Sequence, residues 1–173
     1  MKGVNMSIDI FKENWETALE MQFQKPNRCL KKAYICSPLC AKTDMEMIRN
    51  MRAARAYMFY AMKQMNVLAR APHAYLPALL CEKLPAERAM ALEFGLRLLE
   101  NSEVLFVCGD RISNGMKGEI GKAAVLNMDI TVFDESLYPA VRKLVTQHGG
   151  NKAKVTLDEK NAFLSLPPEI IDC

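Results

Sequence analysis

Apolar residues along this chain follow two alternating patterns, short continuous runs and longer repeats with helical spacing. Each short run is four or five residues long and is bounded by polar residues, glycine or proline, which is typical of a buried strand. The runs predict strands at residues 32–36, 67–71, 104–108 and 129–133, with 154–157 as a candidate fifth strand.

The helical repeats lie between and before these runs. Apolar residues recur at helical spacing over residues 7–24, 44–65, 85–100, 113–126 and 138–147. Ahead of the second repeat, Thr43 and Glu46 have the spacing of a capping box, which marks a helix start. In the repeat at 85–100, the pattern predicts four inward-facing side chains. These are Met90, Phe94, Leu98 and Leu99.

Strands that alternate with helices indicate a parallel sheet covered on both faces and connected by right-handed crossovers. We therefore predict a flavodoxin-like, doubly wound α/β fold with four or five strands. The length of 173 residues suits a single domain. Within it we expect an N-terminal helical extension (1–28), a core (31–134) and a C-terminal tail (154–173) that packs on the body or on a neighbour.

Composition and charge argue against several classes of function. The net charge of +3 gives no case for a nucleic-acid groove. The six cysteines have no CxxC spacing and the two histidines are far apart, so we expect no metal site. Acidic residues near the N-terminus (Glu13, Glu16, Glu20) argue against a signal peptide, and no apolar run is long enough to span a membrane. We expect a cytoplasmic protein with reduced thiols.

The strongest candidate for chemistry is Glu119, in the segment 112–123 that follows the third predicted strand. With Ser113 as the helix N-cap, Glu119 falls in the second helical turn, near the positive end of the helix dipole. An ionised carboxylate there can act as a nucleophile or stabilise a developing cation, as glycosidic cleavage requires. The alternative is an ordinary acidic residue that stabilises a helix start.

Other polar residues are predicted at the same carboxyl edge of the sheet, where ligands bind in such folds. Asp110 could be a general acid or a sugar ligand, or a solvated aspartate paired with Arg111. His73, after the second strand, could line the pocket or be a structural histidine. Ser37 could hold phosphate or ribose, or belong to a simple Ser-Pro turn. Cys36 and Cys40 could be reactive thiols, but only Lys42 lies near enough in sequence to lower their pKa, and a catalytic cysteine normally needs a base partner.

Three segments resemble motifs of the nucleoside 2-deoxyribosyltransferase-like superfamily. They are Tyr-Ile-Cys-Ser-Pro-Leu at 34–39, Ala-Pro-His-Ala-Tyr-Leu at 71–76 and Ser-Asn-Gly-Met-Lys-Gly-Glu-Ile-Gly-Lys-Ala at 113–123. The resemblance spans about residues 31–134 and is closest to the superfamily's uncharacterised bacterial and phage branch of domains of unknown function. It implies cleavage of an N-glycosidic bond through a covalent glycosyl-enzyme, followed by transfer of the sugar to another base or to water.

The resemblance also implies roles for individual residues. Glu119 matches the nucleophile, and Asp110 is the candidate acid or sugar ligand. Ser113 stands where the 5′-monophosphate N-hydrolases carry a phosphate-binding serine, which favours a nucleotide substrate and hydrolysis. The implied substrate shell is Tyr34, Ser37, Lys42, His73, Ser113, Asn114, Gly115 and Met116. No metal or organic cofactor is implied, and a homodimer or larger homo-oligomer is expected.

The chain also departs from the motifs of that superfamily. Lys117 replaces a glycine of the characterised branches, and Cys40 and Ala41 replace an Arg-Gly pair found in many relatives. The missing arginine removes a bidentate phosphate donor that Lys42 does not replace geometrically. These departures favour an alternative function, a non-catalytic module that senses or sequesters a nucleotide, whereas Glu119 favours an enzyme.

Overall fold

The computed structural model describes residues 30–81 and 84–171, which form a five-stranded parallel sheet between two layers of helices. The strand order is β2-β1-β3-β4-β5. The strands are β1 (Lys32–Cys36), β2 (Leu68–Arg70), β3 (Val104–Val107), β4 (Asp129–Val132) and β5 (Val155–Leu157). The predicted doubly wound α/β fold is therefore confirmed, including the fifth strand.

Four helices of ten or more residues cover the sheet. They are α1 (Asp44–Met65), α2 (Pro85–Glu100), α3 (Asn114–Val125) and α4 (Tyr138–Gln147). Shorter helices lie at Pro72–Ala74, Leu76–Leu79, Glu159–Ser165 and Pro168–Ile171. Among the described residues, none of the helices combines the length and the hydrophobicity of a membrane-spanning segment. The helix predicted at 7–24 lies outside the described residues.

The two faces of β1 serve different parts of the core. Ala33 and Ile35 pack with α1 in one apolar cluster, and Tyr34 and Cys36 pack with α3 and α4 in the other. This separation follows from the alternation of side chains along a strand. It places the Tyr34 hydroxyl and the Cys36 thiol on the side of the sheet that α3 covers.

Local capping chemistry fixes the starts of α1 and α3. The Thr43 hydroxyl accepts a hydrogen bond from the backbone N–H of Glu46 at 3.2 Å. The Ser113 hydroxyl accepts one from the backbone N–H of Met116 at 3.3 Å. Both predicted N-caps are confirmed. Side-chain oxygens at these positions satisfy amides that have no partner inside the helix.

The inward face predicted for α2 is wrong at two positions. Met90 is 59% exposed and Phe94 is 44% exposed. The side of α2 that packs against the protein instead carries mostly small residues, Ala91, Gly95 and Leu99. The cause is that α2 carries apolar residues on more than one side, so hydrophobic spacing alone did not identify the buried side.

The C-terminal tail packs on the body of the protein. Leu164 is fully buried in the α1 cluster, and the ring of Phe163 stacks on Tyr60 with 4.7 Å between centroids. The Tyr57 hydroxyl donates to the backbone carbonyl of Leu166, and the N–H of Gly109 donates to the carbonyl of Leu164 at 2.8 Å. The tail thereby supports the loop that leads from β3 into α3.

Candidate functional site

Glu119 lies in the second turn of α3, close to the carboxyl end of β1. Its side chain is 13% exposed. The Tyr34 hydroxyl donates to Glu119 Oε1 at 2.8 Å, and His73 Nε2 lies 3.2 Å from the same oxygen. A hydrogen bond from His73 to this carboxylate oxygen requires a proton on Nε2. The structure thus brings together three of the predicted site residues.

The second carboxylate oxygen, Glu119 Oε2, has a different environment. Burial raises the pKa of the Cys36 thiol well above its usual value, and the charge of Glu119 with a hydrogen bond to its carboxylate raises that pKa further. Buried Oε2 accepts no hydrogen bond among the described residues. Buried polar atoms in folded proteins nearly always have a partner, so an oxygen without a strong donor indicates a place for a ligand.

Tyr34 is held as a permanent hydrogen-bond donor to Glu119. Burial raises the pKa of its phenol well above the usual range, and the charge of Glu119 and the hydrogen bond raise it further. Gly95 of α2 faces the hydroxyl, and an added Cβ there would lie 3.5 Å from it, in ordinary van der Waals contact. Sequence reasoning did not identify this contact of Gly95, although a glycine in the middle of a helix is a signal of close approach.

The N-terminus of α3 presents polar groups beside this carboxylate. Since the Ser113 oxygen accepts from Met116 N–H, its own hydroxyl proton remains available to a ligand. Asn114 and Gly115 are exposed in the first turn, and a Cβ at Gly115 would meet only the Ser113 hydroxyl, at 3.9 Å. The first backbone N–H groups of a helix suit an anion such as phosphate.

The structure places the other predicted residues differently. The Met116 side chain is fully buried in the core, where its sulfur accepts from Ser113 N–H at 3.4 Å, so this side chain does not line a pocket as predicted. Asp110 Oδ1 lies 3.2 Å from Arg111 Nη1. This is the ion pair expected if Asp110 is a solvated loop aspartate. Lys42 is exposed at the start of α1.

Ser37 directly follows β1, and its side chain is almost fully buried at 1% exposure. Its hydroxyl has no hydrogen-bond partner within the part of the chain that the structure describes. A buried hydroxyl without a partner costs stability, roughly 1–3 kcal/mol. The simple Ser-Pro turn does not account for this cost, whereas a ligand oxygen at the end of β1 would offset it.

A separate groove of about 420 Å³ lies between α4 and β5. Its lining includes Tyr138, Arg142 and Asn151, none of which contacts Glu119, and Arg142 covers the Tyr138 ring at 5.9 Å. The candidate site therefore consists of the Glu119 cluster rather than this groove. Within residues 30–81 and 84–171, no group of three or more His, Cys, Asp or Glu side chains could hold a metal ion.

The burial of the cysteines predicts which of them an alkylating reagent labels in the folded protein. Cys36 and Cys108 are buried and burial raises the pKa of both thiols, whereas Cys40 and Cys81 are exposed. Since the thiolate is the reactive form, iodoacetamide at pH 8 should label Cys40 and Cys81 in the folded protein, and Cys36 and Cys108 only after denaturation. Peptide mass spectrometry measures each site. Labelling of Cys36 as fast as Cys40 would contradict this description of the site.

Comparison with protein families adds one match. The model of a family described as a domain of unknown function (DUF7768) matches residues 31–133, more than half of the chain. The chain belongs to this family. The family region runs from the start of β1 to the end of β4, so it includes Tyr34, His73 and Glu119. No curated protein matches the chain, and no solved structure matches it.

Proposed function

We propose that this member of the family cleaves the N-glycosidic bond of a nucleotide or nucleoside, as a hydrolase or a 2-deoxyribosyltransferase, with Glu119 as the nucleophile. One observation carries the proposal. The buried carboxylate is held through Oε1 by Tyr34 and His73, while Oε2 lacks a strong donor at the ligand-binding edge of the sheet.

The contacts assign different tasks to the two carboxylate oxygens. Oε1 accepts the hydrogen bond from Tyr34 and lies 3.2 Å from His73 Nε2, and these contacts fix the orientation of the carboxylate. Oε2 attacks the anomeric carbon C1′. The C1′–N bond breaks, its electron pair goes to the departing base, and an Oε2–C1′ ester forms. Water or a second base then attacks C1′ and returns Glu119 to a carboxylate. The negative charge also stabilises the oxocarbenium-like transition state.

His73 is a positioning residue in this mechanism rather than the acid that protonates the base. The nucleophile and the acid of a retaining glycosidase lie on opposite faces of the sugar, about 5–5.5 Å apart. His73 Nε2 is 3.2 Å from Glu119 Oε1, too close for that arrangement. Asp110 stays a candidate acid only if ligand binding releases it from Arg111.

The start of α3 favours a phosphorylated substrate. The free hydroxyl proton of Ser113 and the amides of the first turn can donate to phosphate oxygens, and the helix dipole favours the negative charge. A phosphate at this end of α3 would lie one to two helical turns from Glu119. We therefore expect 2′-deoxynucleoside 5′-monophosphates to be better substrates than the corresponding nucleosides.

Base release from a substrate panel tests the proposal. The full chain is incubated with deoxynucleoside 5′-monophosphates and with deoxynucleosides, with and without an acceptor base, and free base is quantified by chromatography. The expected result is release from at least one monophosphate. Tight binding of a monophosphate without release would instead identify the non-catalytic binding module, and no thermal shift with any nucleotide would exclude both functions.

A further inference from the structure

A stripe of residues runs along α2 next to the side that packs on the other described residues; Met90, Phe94 and Arg97 are exposed in it and Glu87 is half-buried. Its members are Glu87, Met90, Phe94 and Arg97, spaced by three, four and three residues. This spacing places them in one row on a helix and is the a/d spacing of helices that pair. Met90 and Phe94 in its centre are the exposed apolar side chains of the row.

The charges at the two ends of this stripe are opposite. Glu87 lies one turn before Met90, and Arg97 lies one turn after Phe94. Both keep hydrogen-bonding capacity for a further partner. Glu87 Oε2 accepts from the backbone N–H of Cys81, whereas Arg97 binds Glu93 through Nε and Nη2. Neither Glu87 Oε1 nor Arg97 Nη1 is hydrogen-bonded to another described residue, so both can contact a partner.

We propose that the α2 stripe is an interface with a second copy of this chain, in which the two α2 helices pack antiparallel about a twofold axis. In that register Met90 faces Phe94 of the partner subunit and Glu87 faces Arg97 of the partner subunit. Each contact occurs twice, as in an isologous interface. In antiparallel helix pairs, an a position of one helix faces a d position of the other. This register does the same, with Phe94 at an a position and Met90 at a d position.

Charge complementarity distinguishes this occupant from others. In an antiparallel pair the acidic end of one stripe meets the basic end of the other, so the stripe is complementary in charge to a second copy of itself. A parallel pair would bring like charges together at both ends, which is unfavourable. The interface also explains why the apolar spacing of α2 did not identify the core side, since a helix that pairs with a copy carries a second apolar row. This inference does not depend on the proposed catalytic function.

Sedimentation equilibrium of the full chain tests the interface. The wild type should be a dimer. Glu87→Lys places a lysine opposite Arg97 of the partner subunit and should raise the dimer dissociation constant at least about tenfold. The double variant Glu87→Lys/Arg97→Glu restores opposite charges in the same register and should regain most of the wild-type affinity. Phe94→Glu should give a monomer.

A matched control comes from the same helix. Leu92 is 60% exposed but lies on the opposite side of α2 from the stripe, so Leu92→Glu should leave the dimer unchanged. A monomeric wild type would overturn the proposal. If Phe94→Glu then lowers the stability of that monomer, the chain's own N-terminal residues cover the stripe and a second copy does not. A dimer that Phe94→Glu leaves intact, or that the double charge swap does not restore, would also overturn it.

Discussion

Replacing Glu119 by glutamine is expected to reduce base release by about 10³-fold or more, because the neutral amide cannot attack C1′. Glutamine has nearly the same shape and keeps an oxygen that Tyr34 and His73 can donate to, so the fold and nucleotide binding should persist. Single-turnover base release measures the chemical step, and the thermal shift with the same nucleotide measures binding. The combination separates a lost nucleophile from a lost fold.

The control for this variant is Glu100→Gln. Glu100 is an exposed acid at the end of α2, paired with Lys122 at 2.7 Å, and it does not contact the Glu119 cluster. Its replacement removes one negative charge of the same kind but should leave base release at the wild-type rate. A Glu119→Gln variant that releases base as fast as Glu100→Gln would refute the role of Glu119 as nucleophile.

The second large effect is expected at Gly109, in the loop between β3 and α3. Gly109 has φ of +88°, and an added Cβ would lie 3.1 Å from the Pro38 side chain. The left-handed conformation costs an L-residue about 1–2 kcal/mol. Crowding against Pro38 adds about 1–2 kcal/mol. Gly109→Ala should therefore lower the free energy of unfolding by about 2–4 kcal/mol, measured by urea denaturation.

Gly149 provides the matched comparison because it isolates the conformational part of this cost. It has φ of +74°, and an added Cβ would meet nothing within 4 Å. Gly149→Ala should thus lower the free energy of unfolding by only about 1–2 kcal/mol. Equal losses for the two variants would show that contact with Pro38 contributes nothing and that the loop adapts freely.

The parts of the fold that depend on local chemistry followed from the sequence. Thr43 and Ser113 marked the starts of α1 and α3 because a capping side chain acts within three residues of its own position. The parallel topology in turn placed His73 and Glu119 at the same edge of the sheet before any distance was known, because parallel strands bring their carboxyl ends together.

The parts that depend on distant packing did not follow. The hydrogen bond between Tyr34 and Glu119 joins residues 85 positions apart, so it depends on how α3 packs on β1. Met116 was predicted to line the substrate because it belongs to the segment predicted to bind it. Its position in the first turn of α3 instead directs its side chain into the core. Hydrophobic spacing likewise could not tell a core contact from an exposed row on α2.

Mass spectrometry of the enzyme during turnover tests the central claim most directly. The protein is mixed with a 2′-deoxynucleoside 5′-monophosphate that it cleaves, quenched in acid within one turnover, and digested. A Glu119 nucleophile predicts that the peptide containing Glu119 gains the mass of a deoxyribose phosphate, and that the Glu119→Gln variant shows no such gain. Base release during the same turnover with that peptide unmodified, or with the sugar on another residue, would contradict the mechanism.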